Sequence, residues 1–297
     1  MSSRLPFYGG QALVEGVMMR GRQVCAIAVR APDKSIVLET QPLGKVYQSK
    51  LTQIPFLRGL LLLGDALYLG TQSLTFSVNV QVEDESEKVE GAPMVITMLL
   101  SLALGIGIFV MLPVGISYLA EILFGLEGIA ISIIEGIVRL TLLISYIWAI
   151  GFVPDIRRVF GYHGAEHKTI NAFEAKAPLT IKSVAKQSRE HPRCGTSFLL
   201  TVVIFSILFF SLLGPLPIQT RLISRILLIP VVAMFAYEYI RLLARWKDIK
   251  IVRTLLAPNL AIQRLTTREP DEGMIEVAIQ AFETMRSKET AADSMVT

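Results

Sequence analysis

Residues 93 to 120, from Pro93 through Phe109 to Ala120, contain no Asp, Glu, Lys, Arg or His. A run of about 20 apolar residues carries a helix across a bilayer, and a helix satisfies every backbone polar group internally where no water is available. This stretch therefore predicts a membrane span, and the rest of the chain must fold around it. Further apolar runs cover roughly 128 to 153, 197 to 214 and 221 to 243. The gaps near Gly125 and at Gly214-Pro215-Leu216-Pro217 are too short to be domains, so the four spans pair as two hairpins. Composition agrees: 52% of the 297 residues are apolar and 18% charged, and the mean hydropathy of +0.53 excludes a disordered chain, a coiled coil and an ordinary soluble enzyme. The expected fold class is mainly α, a polytopic helical membrane protein with four transmembrane helices and a small cytoplasmic β-hairpin and helical region. Its first partner is the lipid bilayer.

A formal charge of +4 and a pI near 9.1 could suggest nucleic acid, but the positions of the charges say otherwise. Of 29 basic residues, nine precede residue 92, eight lie between 157 and 193, and nine lie from Arg241 onward. The connections at 121 to 127 and 214 to 220 hold none. By the positive-inside rule, the amino terminus, the 154 to 196 loop and the carboxyl tail face the cytoplasm. The basic balance is a topology signal, and no nucleic-acid partner is expected.

Residues 51 to 80 are apolar but interrupted by Arg58, Gly59, Gly64, Asp65 and Gly70. A span there would put Arg4, Arg20, Arg22, Arg30, Lys34, Lys45 and Lys50 outside, so a helix at the interface or packed under the bundle is expected instead. The organisation is then a cytoplasmic region at 1–50, this helix at 51–80, an acidic linker at 81–92 containing Glu83 to Glu87, a first transmembrane hairpin at 93–153, a His/Cys loop at 154–196, a second hairpin at 197–243 and a helical tail at 244–297. Val24 to Arg30 and Ser35 to Thr40 flank Ala31-Pro32-Asp33-Lys34 and read as a β-hairpin. The glycine-rich Gly9 to Gly21 lacks Gly-x-Gly-x-x-Gly and Gly-Lys-Ser/Thr, so it is no phosphate loop. After Pro258, the pattern Met274, Val277, Ala278, Ala281, Phe282 predicts a capped surface helix. The amino terminus shows no signal or transit features and is expected to be retained. Two cysteines, Cys25 and Cys194, make no disulfide scaffold and fit a reduced compartment.

All three histidines, His163, His167 and His191, fall within 29 residues, and Cys194 follows. His163-Gly-Ala-Glu166-His167 can be helical, which sets two imidazoles one turn apart on one face, where one metal ion binds both. Glu166 stands where the His-x-x-Glu-His signature places its acid, the general base of a zinc hydrolase. A third ligand would come from His191, Cys194 or Glu174, the last seven residues beyond His167. Four ligands, His163, His167, His191 and Cys194, would close a structural site around Zn2+ or another divalent transition metal; three would leave a catalytic position open. The sequence leaves both designs standing. Lys168, two residues beyond Glu166, is expected to lower the glutamate's pKa and weaken it as a base.

Gly9-Gly10-Gln11 with Glu15-Gly16-Val17-Met18-Met19-Arg20-Gly21, His163 to Thr169, His191 to Ser197, and Gln263 to Pro270 resemble the YqhQ-like family of bacterial membrane proteins, defined by a domain of unknown function (DUF1385). The resemblance covers nearly the whole chain. It implies a bacterial inner-membrane location, metal dependence and the His-Cys cluster as the site, without a reaction.

Four ionisable residues lie within spans: Glu135 and Arg139 in the second, Arg225 and Glu238 in the fourth. Charges in hydrocarbon are costly, so they should face the bundle interior and pair, with Glu135 to Arg225 as one contact. Interhelical staples suit them better than a proton or substrate path. Gly105, Gly107 and Gly136 permit close helix approach, within the bundle or to other membrane proteins or a second copy. Two functions emerge: a metal-dependent hydrolase of the cytoplasmic face with Glu166 as general base, and a non-catalytic scaffold or membrane-protein biogenesis factor with a structural metal.

Overall fold

A computed structural model describes residues 8–44, 50–84, 86, 88, 91–214, 216–246 and 249–296. Expectations resting on Arg4, Lys45, Glu85, Glu87 and Pro215 lie outside the described residues. Four helical stretches are long and apolar enough to cross a membrane. The first, Gly91–Phe124, joins α2 (Gly91–Ile106), a π-helical turn (Gly107–Met111) and α3 (Leu112–Phe124). The others are α4 (Ile129–Ile150), α7 (Gly195–Leu212) and α8 (Ile218–Arg245). None of the most apolar window of the first is buried within the protein, which suits a helix whose surroundings are hydrocarbon.

The amino-terminal region is a four-stranded antiparallel meander, β1 (Gly9–Leu13), β2 (Gly16–Arg20), β3 (Val24–Arg30) and β4 (Ile36–Pro42). The expected hairpin is its second half. Its turn forms as the residues dictate: Asp33 accepts from the Ser35 amide at 2.9 Å, and Ala31 donates to the Ser35 carbonyl. The first two strands come from the glycine-rich stretch, paired from Leu13↔Gly16 to Gly9↔Arg20. Successive side chains alternate between faces, and here both faces are covered. Val17, Met19, Ala26 and Ala28 pack on one side, Leu13, Met18, Cys25, Ile27 and Val29 on the other.

The first face is covered by α5 (Pro154–Glu174) and α10 (Glu272–Val296), the second by α1 (Leu57–Val80) through Leu69, Phe76 and Val80. The expected surface helix of the carboxyl tail is thus a core helix: Val277, Ala278, Ala281, Phe282 and Met285 are completely buried. The spacing identified its apolar face, but the sheet and α5 give that face two partners. Before it, α9 (Lys250–Thr266) runs through Pro258. The stretch expected as a loop carries α5 and the short α6 (Ile181–Ala185). At its start α1 leans on α8, with the Phe56 ring tilted against Phe235 at 4.7 Å and Arg58 paired with Glu238; α1 is not among the helices apolar enough to span.

Candidate functional site

Helix α5 opens with Pro154 in its first turn and Asp155 beside it, where a fixed φ and a negative charge favour initiation. Its middle is buried from Gly164 to Ile170. The helix lies so close to the α9–α10 connection that a Cβ on Gly164 would stand 2.2 Å from the Arg268 carbonyl oxygen. This approach brings the end of α9 against His163.

His163 and His167 stack edge to face with ring centroids 4.4 Å apart. His163 Nδ1 lies 2.8 Å from the Thr266 carbonyl oxygen, and His167 Nδ1 lies 2.6 Å from that of Arg189. A carbonyl only accepts, so Nδ1 carries a proton in each ring, and in the neutral imidazole Nε2 is the nitrogen left to ligate. Metal-binding histidines are held in this way, with the second nitrogen tied to a backbone carbonyl or carboxylate. Cys194 reaches the same place as the N-cap of α7, where its sulfur accepts from the Thr196 amide at 3.4 Å. His163 Nε2 and Cys194 Sγ are 3.2 Å apart. One ligand atom from each of His163, His167 and Cys194 lies within 4.8 Å of the others, so the three are close enough to hold a metal ion. Ligands at zinc–nitrogen and zinc–sulfur lengths on a tetrahedron stand about 3.5 Å apart, and this mixed imidazole and thiolate set suits zinc.

Glu166 projects beside this group, its Oε2 3.9 Å from His163 Nε2. It is buried against β1, where a Cβ on Gly10 would lie 2.8 Å from Glu166 Cγ; only glycine leaves room. Burial pushes its carboxyl up to about 7, with His163 pulling the other way. The expectation that Lys168 would lower it is corrected. Two residues along a helix point to different sides, and the Lys168 ammonium leaves for the Ala185 carbonyl and Glu269.

His191 stands next to this group rather than in it. Its ring centroid is 5.6 Å from that of His167, and its Nε2 lies 3.6 Å from Glu174 Oε1, with no hydrogen-bond partner among the described residues. Burial lowers the His191 pKa to about 4, Glu174 opposing it. Burial raises Glu174, but His191 and Arg193 outweigh it and hold it at about 2. Glu174, the other candidate third ligand, is thus engaged by Arg193 and faces His191. A residue given no role from the sequence places this segment: buried Gln263 accepts from the His191 amide and donates to the His191 carbonyl and Ser197 Oγ, each at 2.9 Å. Its signal was its place in the Gln263 to Pro270 motif.

Three of the four charges expected within the spans, Glu135, Arg139 and Arg225, meet at the opposite end. Glu135 accepts from Arg139 at 2.8 Å and from two nitrogens of Arg225 at 3.2 and 3.0 Å. Arg139 also donates to Ser206 Oγ and to the Phe109 carbonyl. That carbonyl lacks its helical donor because Pro113, four residues on, has no N–H. Glu238 is elsewhere, paired with Arg58 of α1.

The family model described as "Protein of unknown function (DUF1385)" matches residues 54–288. The protein named "Uncharacterized protein YqhQ" of Bacillus subtilis (strain 168) is 38% identical over 293 residues, covering 93% of this chain and 91% of its own. No solved structure matches. The site and the spans therefore sit in a chain that belongs to the DUF1385 family.

Proposed function

We propose that this protein is a metal-dependent hydrolase of the bacterial cytoplasmic (inner) membrane, with both termini and the site on the cytoplasmic side. His163, His167 and Cys194 would hold a zinc ion, His191 would stand beside His167 as the neighbouring imidazole, and Glu166 would be the general base. A bound divalent cation supplies Lewis acidity toward an oxygen. The observation that carries the reading is the pair of Nδ1–H groups committed to the Thr266 and Arg189 carbonyls, which leaves two Nε2 lone pairs beside one sulfur. Three ligands leave the fourth position for a reactant, as catalytic zinc sites do. Burial raises the Glu166 carboxyl, the direction that strengthens a general base. A peptide bond or a lipid-linked ester is the proposed substrate.

The test is elemental analysis with activity. Purified wild type should carry about one zinc or other transition-metal ion per chain, and the His163→Ala, His167→Ala double variant none. Glu166→Gln should keep the metal and lose hydrolysis of peptide or glycerolipid ester substrates. Metal-free wild type would remove the proposal.

A second reading, a scaffold or biogenesis factor with a structural metal and other membrane proteins or a second copy as partners, is favoured by what the three ligands join. His163 belongs to α5 and bonds the end of α9, while Cys194 caps α7. A cation there would clamp the sheet-bearing region to a spanning helix. Under that reading Glu166→Gln is silent.

A further inference from the structure

The end of the bundle away from the histidine cluster holds a polar cavity that neither reading uses. It measures about 230 Å³ and lies between the end of α3 and the first turns of α4 and α8, with Glu121, Gly128, Ser132, Arg221 and Arg225 among its walls. Arg221 and Arg225 are one turn apart on α8, 4% and 2% exposed. Arg225 gives Nε and Nη2 to Glu135. Arg221 gives Nη2 to Glu121 Oε2 at 2.8 Å and to the Leu216 carbonyl at 3.2 Å. Its Nη1, equally shut off from water, has no hydrogen-bond partner among the described residues.

A buried donor left unpaired costs the full desolvation of that group, and most for a charged one. Charge balance points the same way. Arg139, Arg221 and Arg225 face the buried Glu135 and the half-buried Glu121, and the third carboxylate, Glu127, also lines the cavity but is exposed, so solvent screens its charge. Helix α4 begins here as well. Gly128 is its N-cap, no side chain caps it, and Ile131 and Ser132 of its first turn line the cavity. Its free N–H groups and the positive end of its dipole add to the same field.

We propose that this cavity binds an oxyanion, a carboxylate or phosphate group, through Arg221 Nη1 and the first turn of α4. A guanidinium edge and backbone N–H groups together are what such groups bind. The volume is below that of a drug-sized pocket and suits the anionic group with a small part of its carrier. The carrier is either a free solute or a phospholipid whose headgroup lies at this level of the bundle.

The full-length protein, delipidated in nonionic detergent, is titrated calorimetrically with inorganic phosphate and with acetate. In parallel, nanodiscs of phosphatidylglycerol or phosphatidylcholine are examined by native mass spectrometry for lipid retained on release. Saturable one-site binding of phosphate or acetate supports the proposal with a free solute. Selective retention of one phosphatidylglycerol supports it with a headgroup. Ser132→Asp places a fixed carboxylate in the cavity without breaking an ion pair, and should weaken either binding at least tenfold. Arg221→Gln should do the same, and if its loss of Glu121 prevents folding, Ser132→Asp decides. Absence of saturable binding of all three probes to wild type, or binding unchanged by Ser132→Asp, overturns the proposal.

Discussion

The two buried polar clusters treat their atoms in opposite ways. Around Glu135, both carboxylate oxygens are taken by arginines, and Arg139 uses Nε, Nη1 and Nη2 on Phe109, Ser206 and Glu135. Phe210 lies beneath both guanidinium groups, at 5.0 and 4.3 Å. Around His163, each Nδ1 is anchored to a backbone carbonyl, His163 Nε2 meets the Cys194 sulfur at 3.2 Å, and His191 Nε2 beside them has no hydrogen-bond partner among the described residues. Buried polar groups are almost always paired. The first cluster is complete within the chain and acts as a staple between α4, α7 and α8. The second is held by a weak imidazole–sulfur contact, and the buried His191 Nε2 beside it has no hydrogen-bond partner among the described residues. At the staple's edge, Arg221 Nη1 is the exception that carries the proposed anion site.

The largest effect should come from breaking the completed cluster. Glu135→Gln strands two buried arginines and should cost about 3 to 5 kcal/mol in thermal or denaturant unfolding of the detergent-solubilised protein. Replacing Arg139 and Arg225 by Met in the same chain should recover most of that loss, because the uncompensated charges go with them. A small effect of Glu135→Gln would show that the pairing does not hold the bundle. The histidine cluster should behave differently. With metal at a hundredfold above its dissociation constant, chelation should lower wild-type stability by about 2.7 kcal/mol and leave the His163→Ala, His167→Ala variant unmoved. A chelator that shifts neither protein would equate the two clusters and end the contrast.

How far the sequence discloses each cluster follows from what sets it. The spans are legible because absence of charge over 93–120 is a local property. His163 and His167 are legible because helical spacing alone makes them neighbours. The third member, Cys194, is one of three choices the sequence leaves open, and only the tertiary approach of His163 to the end of α9 and the N-cap of α7 distinguishes it from His191 and Glu174. The acidity of Glu166 is not legible in the sequence because neighbours in sequence are not neighbours in space: the charge of Lys168 leaves the site, and what acts on the carboxyl is burial beneath β1. Strands β1 and β2 are hidden in sequence because Gly9, Gly10, Gly16 and Gly21 weaken a strand pattern. With both faces covered, Val17, Met18 and Met19 form an apolar run without polar alternation.

A smaller change probes the packing behind the open cluster. Gly10→Ala sets a Cβ 2.8 Å from Glu166 Cγ and 2.7 Å from the Met18 carbonyl oxygen. The backbone oxygen cannot swing aside as a side chain does, so about 1 to 3 kcal/mol of overpacking is expected. Unfolding should report it, and under the hydrolase reading activity should fall with metal content unchanged. Stability unchanged by Gly10→Ala would mean that β1 does not seat the glutamate.

The smallest effect supplies a yardstick from a polar contact that water reaches. Glu15 turns the chain between β1 and β2 and accepts from Arg158 at 2.5 and 2.6 Å and from Tyr162 at 3.2 Å. The Arg158 hydrogen bond holds its carboxyl below the ordinary value of 4.5, against partial burial. A lowered pKa means that the stabilisation is present above pH 4.5 and fades as pH falls through the lowered value. The Arg158 side chain is 51% exposed, so solvent screening limits the contribution to about 0.2 to 1 kcal/mol. Glu15→Gln should therefore melt slightly below wild type at pH 7, and the two curves should converge as the pH drops beneath 4.5. Adding salt should narrow the gap at pH 7 while leaving the Glu135→Gln deficit nearly intact, because ions screen a solvated pair and not one sealed among helices. Equal salt sensitivity of the two variants would place Glu135 in contact with water and dissolve the distinction between a staple and a surface pair.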